Sequence, residues 1–311
     1  MATILTRTPV EPEGGAIDLD FRETDNWTRY SGIPSLSLLF GDPEAGPYVF
    51  LSASEPMVDQ MPTGFAHAHA SDNWRISVRG TTNMGRDAYT HGEFRFHDGG
   101  VPYASDNLAW GPDGGFGLVL MGDRRGFAIQ PVKAAIAEQV EPSQAKAARA
   151  MGVERLDPCP GAPAIRTTEG PTARAHRNGG FNETSGWRNL GDGRRLYVGL
   201  LGEPERGPVI CLIDADPGVE AWPERCLDTE TMIVPIDGSV QVGETVLEQG
   251  SLRIESPGVP AAPLVAGDAG VQLVAVIGDR RAVLAGDGFS AGAIGRSVTA
   301  QVEELLAELA A

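Results

Sequence analysis

The sequence is poor in cysteine and lacks long hydrophobic runs. Its 311 residues include three cysteines, Cys159, Cys211 and Cys226, which are widely spaced and form no CxxC pair. Such a set excludes a disulfide framework and a zinc knuckle. No apolar run approaches the roughly 18 residues that cross a bilayer, and the N-terminal segment lacks the apolar stretch of a secretory signal. We therefore expect a cytoplasmic protein with no membrane partner.

Basic residues are also scarce relative to acidic ones. Lysine and arginine number 25 against 42 aspartates and glutamates, which gives a formal net charge of −17. A field of this sign repels phosphate backbones, so nucleic acid is excluded as an expected partner. What the chain has in quantity is glycine (40) and proline (23). Many turns favour a strand-rich fold over a helical bundle.

The sequence contains an internal repeat. Four blocks recur in the same order at offsets of about 156 to 161 residues, a pattern that indicates tandem duplication. The pairs are FRETDNW (21–27) with FNETSGW (181–187), LFGDPEAGP (39–47) with LLGEPERGP (200–208), GEFRFHDGGVPYA (92–104) with GSLRIESPGVPAA (250–262), and MGDRR (121–125) with IGDRR (277–281).

The repeat predicts the domain organisation. Each copy is built of short β-type runs bounded by glycine and proline, and nothing alternates strand with long helix, so a parallel α/β sheet is disfavoured. Closure into a small barrel or jelly roll would protect the strand edges. The C-terminal segment has apolar residues at helical spacing, which predicts packing against the domain or a second subunit and leaves a homodimer open. The predicted divisions are an N-terminal arm (1–20), a first barrel (21–133), a helical and loop linker (134–180), a second barrel (181–285) and a C-terminal helix (286–311).

The first repeat resembles the cupin superfamily. Its first motif contains two histidines one residue apart, then a glutamate and a glycine. His67, His69 and Gly80 match these positions, and Asn73 stands where the glutamate is expected. Residues i and i+2 of a strand face the same side, so both imidazoles would point into one barrel lumen.

The second cupin motif is also recognisable. Its spacing runs from Gly92 through Asp98 and Pro102 to Asn107, and Tyr103 stands where the ligand histidine is expected. The resemblance implies a mainly β fold of two tandem cupin barrels, a bicupin.

The second repeat keeps the turns and loses the ligands. An offset of 158 places Arg225, Leu227, Thr231 and Ala261 at the positions of the two histidines, the asparagine and the tyrosine. The resemblance therefore implies one active site, in the first barrel, and a degenerate second barrel.

The resemblance implies an enzyme acting on a small-molecule substrate. In its leading form, His67, His69 and Tyr103 bind a divalent transition metal (Fe, Mn, Ni, Cu or Zn) for oxygenase, lyase or isomerase chemistry. Tyr103 and His97 are the predicted catalytic residues, since a histidine and a tyrosine across a barrel can act as base and acid.

Two alternatives stay open. One is a metal-free isomerase, epimerase or cyclase that uses the same histidines and tyrosine in proton transfer. The other is a non-catalytic module whose lumen binds a small ligand.

Residues found only in the first repeat are the better candidates for the site. By this filter Asn73, Trp74 and Tyr89 are predicted to bind substrate. Arg75 is added to them because its guanidinium could anchor an anionic substrate group through two hydrogen bonds. Residues that recur in both repeats, such as Arg95 with Arg253, are predicted to serve the fold.

Overall fold

The described part of the chain is almost entirely β-structure. The computed structural model describes residues 2–6, 8, 10, 12–20, 23–30, 33–54, 67–84, 87–103, 114–127, 129–131, 176–284 and 293–310. The first half and the segment that leads into the second contain the strands β1 (Thr3–Leu5), β2 (Ala16–Asp20), β3 (Thr28–Tyr30), β4 (Ile33–Leu39), β5 (Tyr48–Ser54), β6 (His67–His69), β7 (Asn73–Arg79), β8 (Thr82–Met84), β9 (Asp87–Tyr89), β10 (Glu93–His97), β11 (Gly115–Met121), β12 (Ile129–Pro131) and β13 (His176–Gly180).

The second half repeats this pattern. Its strands are β14 (Arg188–Asn189), β15 (Arg194–Leu200), β16 (Val209–Ala215), β17 (Glu220–Trp222), β18 (Thr231–Val242), β19 (Thr245–Glu248), β20 (Ser251–Glu255) and β21 (Leu264–Ile277), followed by the helices α1 (Arg281–Leu284) and α2 (Ala293–Ala310). The prediction of a C-terminal helix is confirmed by α2. The predicted helical linker lies outside the described residues, except for 176–180, which form the strand β13.

Two antiparallel sheets dominate the fold. The first has the order β1-β4-β5-β11-β7-β10-β13, and the second has the order β14-β15-β16-β21-β18-β20-β2. The strand before each repeat therefore pairs with the other repeat: β2 joins β20 of the second sheet, and β13 joins β10 of the first. This exchange ties the arm and the end of the linker to both barrels. The fold is two tandem jelly-roll barrels, as predicted.

A shared apolar core joins the two barrels. Trp74 and Phe94 from the first sheet lie in one buried cluster with Val234 and Val274 from the second. The backbones also approach closely, since a Cβ added at Gly122 would lie 2.1 Å from the backbone nitrogen of Gly202. Burial of this apolar surface stabilises the contact between the two repeats.

Two matching arginines fix the loops at this interface. Arg124 donates from Nε to the carbonyl of Gly46 at 3.1 Å, and Arg280 donates in the same way to Gly207 at 2.9 Å. Both side chains are buried. Arginines that recur in both repeats thus serve the fold at this position, as the repeat comparison predicts.

The helix α2 covers the second barrel. Ile294, Val298 and Val302 are fully buried and belong to the apolar cluster inside that barrel. Among the described helices, none combines the length and the apolar character that a membrane crossing requires.

Candidate functional site

Strand β7 divides its side chains between two faces of the first sheet. Residues alternate along a strand, so Asn73, Arg75 and Ser77 share one face, and Trp74 and Ile76 share the other. Asn73 lies opposite His97, and Arg75 lies opposite Arg95 on β10. Trp74 and Ile76 belong to the core shared with the second barrel. The other face therefore forms the lumen of the first barrel.

The lumen of the first barrel carries more buried polar side chains on its strands than the lumen of the second. The register of the two sheets gives each position of the first a counterpart in the second. The buried serines of the first lumen have aliphatic counterparts: Ser35 corresponds to Leu196, Ser37 to Val198 and Ser52 to Ile213. The second lumen thus builds its own core, whereas the first offers polar groups to a ligand.

His67 and Tyr103 form the centre of the first lumen. Their backbones pair as an isolated bridge, with hydrogen bonds of 3.0 and 2.9 Å between the two residues. Their side chains share a hydrogen bond of 3.1 Å between Nε2 and the phenol oxygen. His67 is 9% exposed and Tyr103 is 8% exposed. The predicted His–Tyr pair therefore exists as a buried, hydrogen-bonded unit.

His69 faces the same pair. Its ring lies 5.3 Å from His67 and 6.2 Å from Tyr103 between centroids. Its Nδ1 donates to the carbonyl of Phe127 at 2.7 Å, because a carbonyl can only accept. This assigns the proton to Nδ1 and leaves Nε2 with a lone pair. Burial and the neighbouring His67 and Arg75 hold the pKa of His69 well below 6.5, so the ring is neutral.

His97 packs against Tyr103 from a third direction. The two ring centroids lie 4.5 Å apart. His97 Nε2 donates to the carbonyl of Val101 at 3.2 Å, which orients the ring. The structure thus brings both predicted catalytic residues, Tyr103 and His97, into contact.

Asn73 and Arg75 form a second layer of the site. The Nε of Arg75 donates to Oδ1 of Asn73 at 3.1 Å. The guanidinium carbon of Arg75 lies 4.3 Å from the centroid of the Tyr103 ring, a cation–π distance. Burial and the nearby Arg95 lower the pKa of Arg75 to about 9. These two predicted substrate-binding residues therefore border the histidine–tyrosine pair.

Tyr89 extends the site on the other side of Tyr103. The two tyrosines form a small buried cluster. The phenol of Tyr89 donates to Oδ1 of Asn178 on β13 at 3.0 Å, and burial raises its pKa to about 12. Tyr89 is thus close to the site, as predicted, while Asn178 belongs to a region that the sequence alone assigns to the linker.

Trp74 is the predicted site residue that the structure does not bring to the lumen. It is fully buried, and its ring lies 5.9 Å from Phe94 and 6.4 Å from Phe96 between centroids. It occupies the opposite face of β7 from Asn73 and Arg75. We therefore assign Trp74 to the core between the barrels and not to substrate binding.

An ion pair occupies the matching place in the second barrel. Arg225 and Ala261 form the isolated bridge that corresponds to His67 and Tyr103, which confirms the offset of 158. Arg225 makes a bidentate ion pair with Glu255, the counterpart of His97, and both residues are buried. The second lumen therefore holds a self-neutralised pair of charges in place of the histidines.

Repeat pairing and topology together decide the architecture. The described strands form two tandem jelly-roll barrels, the architecture that the resemblance to cupins implies. Structural neighbours of the chain include two variants of oxalate decarboxylase from Bacillus subtilis, each 13% identical and covering 84% of this chain and 77% of theirs, with TM-scores of 0.46 and 0.47. A candidate dioxygenase from Nostoc punctiforme is 13% identical, with 88% and 86% of the two chains covered and a TM-score of 0.49. No protein-family model and no curated protein matches the sequence.

A divalent metal is the cofactor that the cupin fold implies for the first lumen, and the donor set does not fit it. Within the described residues, no group of three or more histidine, cysteine, aspartate or glutamate side chains could hold a metal ion. Asn73, at the carboxylate position, already accepts from Arg75. A dication here would face the guanidinium of Arg75, and the neutral amide of Asn73 brings no negative charge to offset it.

Several contributors to the site escape sequence reasoning. Phe127 acts through its backbone carbonyl, and Asn178 reaches the site through strand exchange. The signal that could have found the buried serines is their replacement by aliphatic residues in the second repeat.

Proposed function

We propose that this chain is a small-molecule enzyme whose active site is the polar lumen of the first barrel, and that His67 and Tyr103 act there as an acid–base pair. The hydrogen bond of 3.1 Å between their side chains carries the proposal. A neighbouring imidazole and phenol can take a proton from one atom of a substrate and return one to another. The reaction class is proton transfer: isomerisation, epimerisation or cyclisation.

The surrounding residues give each group its part. His67 Nε2 accepts a proton from one substrate atom as the phenol of Tyr103 donates its proton to another. Transfer of a proton from Nε2 to the phenolate along their shared hydrogen bond then restores both groups. His69 stays neutral and offers its Nε2 as a hydrogen-bond acceptor to a substrate hydroxyl. The Arg75 guanidinium beside Tyr103 stabilises negative charge that develops on the substrate in the transition state. Burial of the cluster keeps water away and strengthens these interactions.

The metal-dependent oxygenase or lyase predicted from the resemblance is the rival form of this proposal. It would use His67, His69 and Tyr103 as ligands, and it requires a bound ion that the donor set does not favour. A non-catalytic binding module is the other rival, and it predicts ligand binding with no turnover.

Proton exchange with solvent tests the proposal directly. Wild-type protein is incubated in D2O with 2-oxo and 2-hydroxy carboxylates and keto sugars, and loss of a C–H signal is followed by proton NMR. We expect exchange in at least one compound, abolished in His67→Gln and in Tyr103→Phe. Tyr197→Phe, a matched change in the core between the barrels, should leave the rate unchanged.

The same experiment can contradict the proposal. Exchange that persists in Tyr103→Phe and His67→Gln places the chemistry elsewhere. Exchange that requires added Fe(II), Mn, Ni, Cu or Zn and disappears on chelation supports the metal-dependent rival.

A further inference from the structure

Two arginines lie side by side in the first lumen. Arg75 on β7 and Arg95 on β10 are direct partners in the strand register. Like charges placed directly opposite on neighbouring strands are destabilising. A barrel that keeps such a pair inside must hold both groups by other contacts.

Tyrosine rings hold both guanidinium groups. Arg75 lies 4.3 Å from the centroid of Tyr103, and Arg95 lies 5.3 Å from the centroid of Tyr89. The two tyrosines contact each other. Each arginine therefore lies over one of two neighbouring tyrosine rings, and these contacts hold the two cations in place.

Arg95 has an unused donor in this arrangement. It is 5% exposed, and its Nε makes no hydrogen bond to any residue that the structure describes. Its Nη2 donates to Asp87 at 3.0 Å, and the Asp87 side chain is half exposed. A buried charged donor of this kind requires a partner, and the residues described around it supply only one exposed carboxylate.

The second barrel shows that the fold does not need this pair. Ile233 stands at the position of Arg75, and Arg253 stands at the position of Arg95. Arg253 forms an ion pair with Asp18 at 3.1 Å. Its Nε, like that of Arg95, has no hydrogen-bond partner among the described residues, so the unused donor is common to both repeats and the neighbouring arginine is not. One arginine paired with an acid is therefore sufficient for the shared architecture. Arg75 belongs to the first lumen alone, and Arg95, which the repeat comparison assigns to the fold, acquires a second role only because Arg75 lies beside it.

We propose that the substrate of the first barrel carries an anionic group, a carboxylate or a phosphate, and that Arg75 and Arg95 bind it. This inference rests on the proposed function, since it places the substrate beside His67 and Tyr103. Guanidinium groups recognise both kinds of anion through paired N–H donors. In a chain with a net charge of −17, a local pair of cations is also what admits an anion against the overall field.

Calorimetric titration with small anions tests the proposal. Malonate and inorganic phosphate are the probes, malonamide is the neutral analogue, and ionic strength is kept constant. We expect one of the two anions to bind and malonamide not to bind. Arg75→Gln and Arg95→Gln should each weaken binding by about 10- to 100-fold, the loss of one charge-assisted contact. Arg253→Gln, the counterpart in the second barrel, should leave binding unchanged.

Further variants separate the outcomes. Arg75→Lys keeps the positive charge but not the planar fork of N–H donors. It should bind the anion more weakly than wild type and more tightly than Arg75→Gln. This graded order separates loss of the contact from misfolding, which would abolish binding in both variants. Tyr103→Phe keeps the ring and should bind the anion within a factor of about three, although it abolishes proton exchange.

Each result supports or overturns the inference. Stronger binding of malonate indicates a carboxylate substrate, and stronger binding of phosphate indicates a phosphorylated one. Binding of neither probe, or equal binding by Arg75→Gln, overturns the inference while leaving the acid–base proposal intact. Anion binding without proton exchange in any compound would overturn the acid–base proposal alone.

Discussion

Removing one partner of the ion pair inside the second barrel should strongly destabilise the protein. The Arg225 side chain is 1% exposed and Glu255 is 8% exposed. In Glu255→Ala, the arginine keeps its contacts to the carbonyls of Pro223 (3.3 Å) and Ala262 (3.1 Å) but loses its counter-charge. An uncompensated buried charge costs about 3–5 kcal/mol. The two lost charged hydrogen bonds, at about 1.5–3 kcal/mol each, give a similar sum of about 3–6 kcal/mol.

Replacing both partners should cost less than replacing one. In Arg225→Met/Glu255→Leu no charge remains buried, and such exchanges are neutral to stabilising by about 1–4 kcal/mol in other proteins. Loss of a donor to two buried carbonyls works against this gain by about 1–3 kcal/mol. We therefore expect the double variant to lie near wild type and well above Glu255→Ala in its free energy of unfolding.

Urea denaturation followed by tryptophan fluorescence measures the free energy of unfolding of both variants. Arg188→Ala is the control, since it breaks an exposed ion pair with Glu304 and should cost about 1 kcal/mol or less. A free energy of unfolding for Glu255→Ala within that margin of wild type would refute the reasoning. A double variant less stable than Glu255→Ala would refute it as well.

Two further predictions concern the contact between the barrels. The hydrogen bond from Arg206, and after it the one from Arg125 of the first barrel, lowers the pKa of the Glu203 carboxyl below 4.5. The ionised carboxylate therefore contributes its full stabilisation above pH 4.5, and this stabilisation is lost as the pH falls through the lower pKa of the folded state. Wild type should lose more free energy of unfolding than Glu203→Gln between about pH 6 and about pH 3, by about 1 kcal/mol or less. An equal loss in variant and wild type, measured by urea denaturation at both pH values, would contradict this. Gly122→Ala would place a Cβ 2.1 Å from the backbone nitrogen of Gly202 and should lower the free energy of unfolding by about 1–3 kcal/mol or more. Gly180→Ala is the control, because its Cβ would meet its nearest neighbour at 3.6 Å. Equal urea midpoints for the two variants would contradict the close contact.

The repeat made much of the fold predictable from sequence. The offset of 158 placed Arg225 at the position of His67, and the matching bridges to Ala261 and Tyr103 confirm it. Asp72, next to Asn73, points the other way, since its carboxylate accepts from the backbone N–H of Gly202 in the second barrel. Local spacing carries this information, because both repeats follow the same strand geometry.

Other features depended on contacts between distant residues. Trp74 was predicted to bind substrate because it is unique to the first repeat, although alternation from Asn73 already placed it on the other face. The exchange of β2 and β13 between the sheets joins strands about 80 to 240 residues from their partners, and no local pattern specifies it. The contact of Arg75 on β7 with Tyr103, which follows β10, likewise joins two separate elements, and no local pattern predicts it.

The measurement that tests the account most directly is the metal content of protein purified without an affinity tag. If His67 and Tyr103 work as an acid–base pair, elemental analysis should find far less than one transition-metal ion per chain. The same low value is expected for the His67→Ala/His69→Ala variant, and addition of Fe(II), Mn, Ni, Cu or Zn should not raise it. A content near one ion per chain in wild type that falls in the variant would contradict the account.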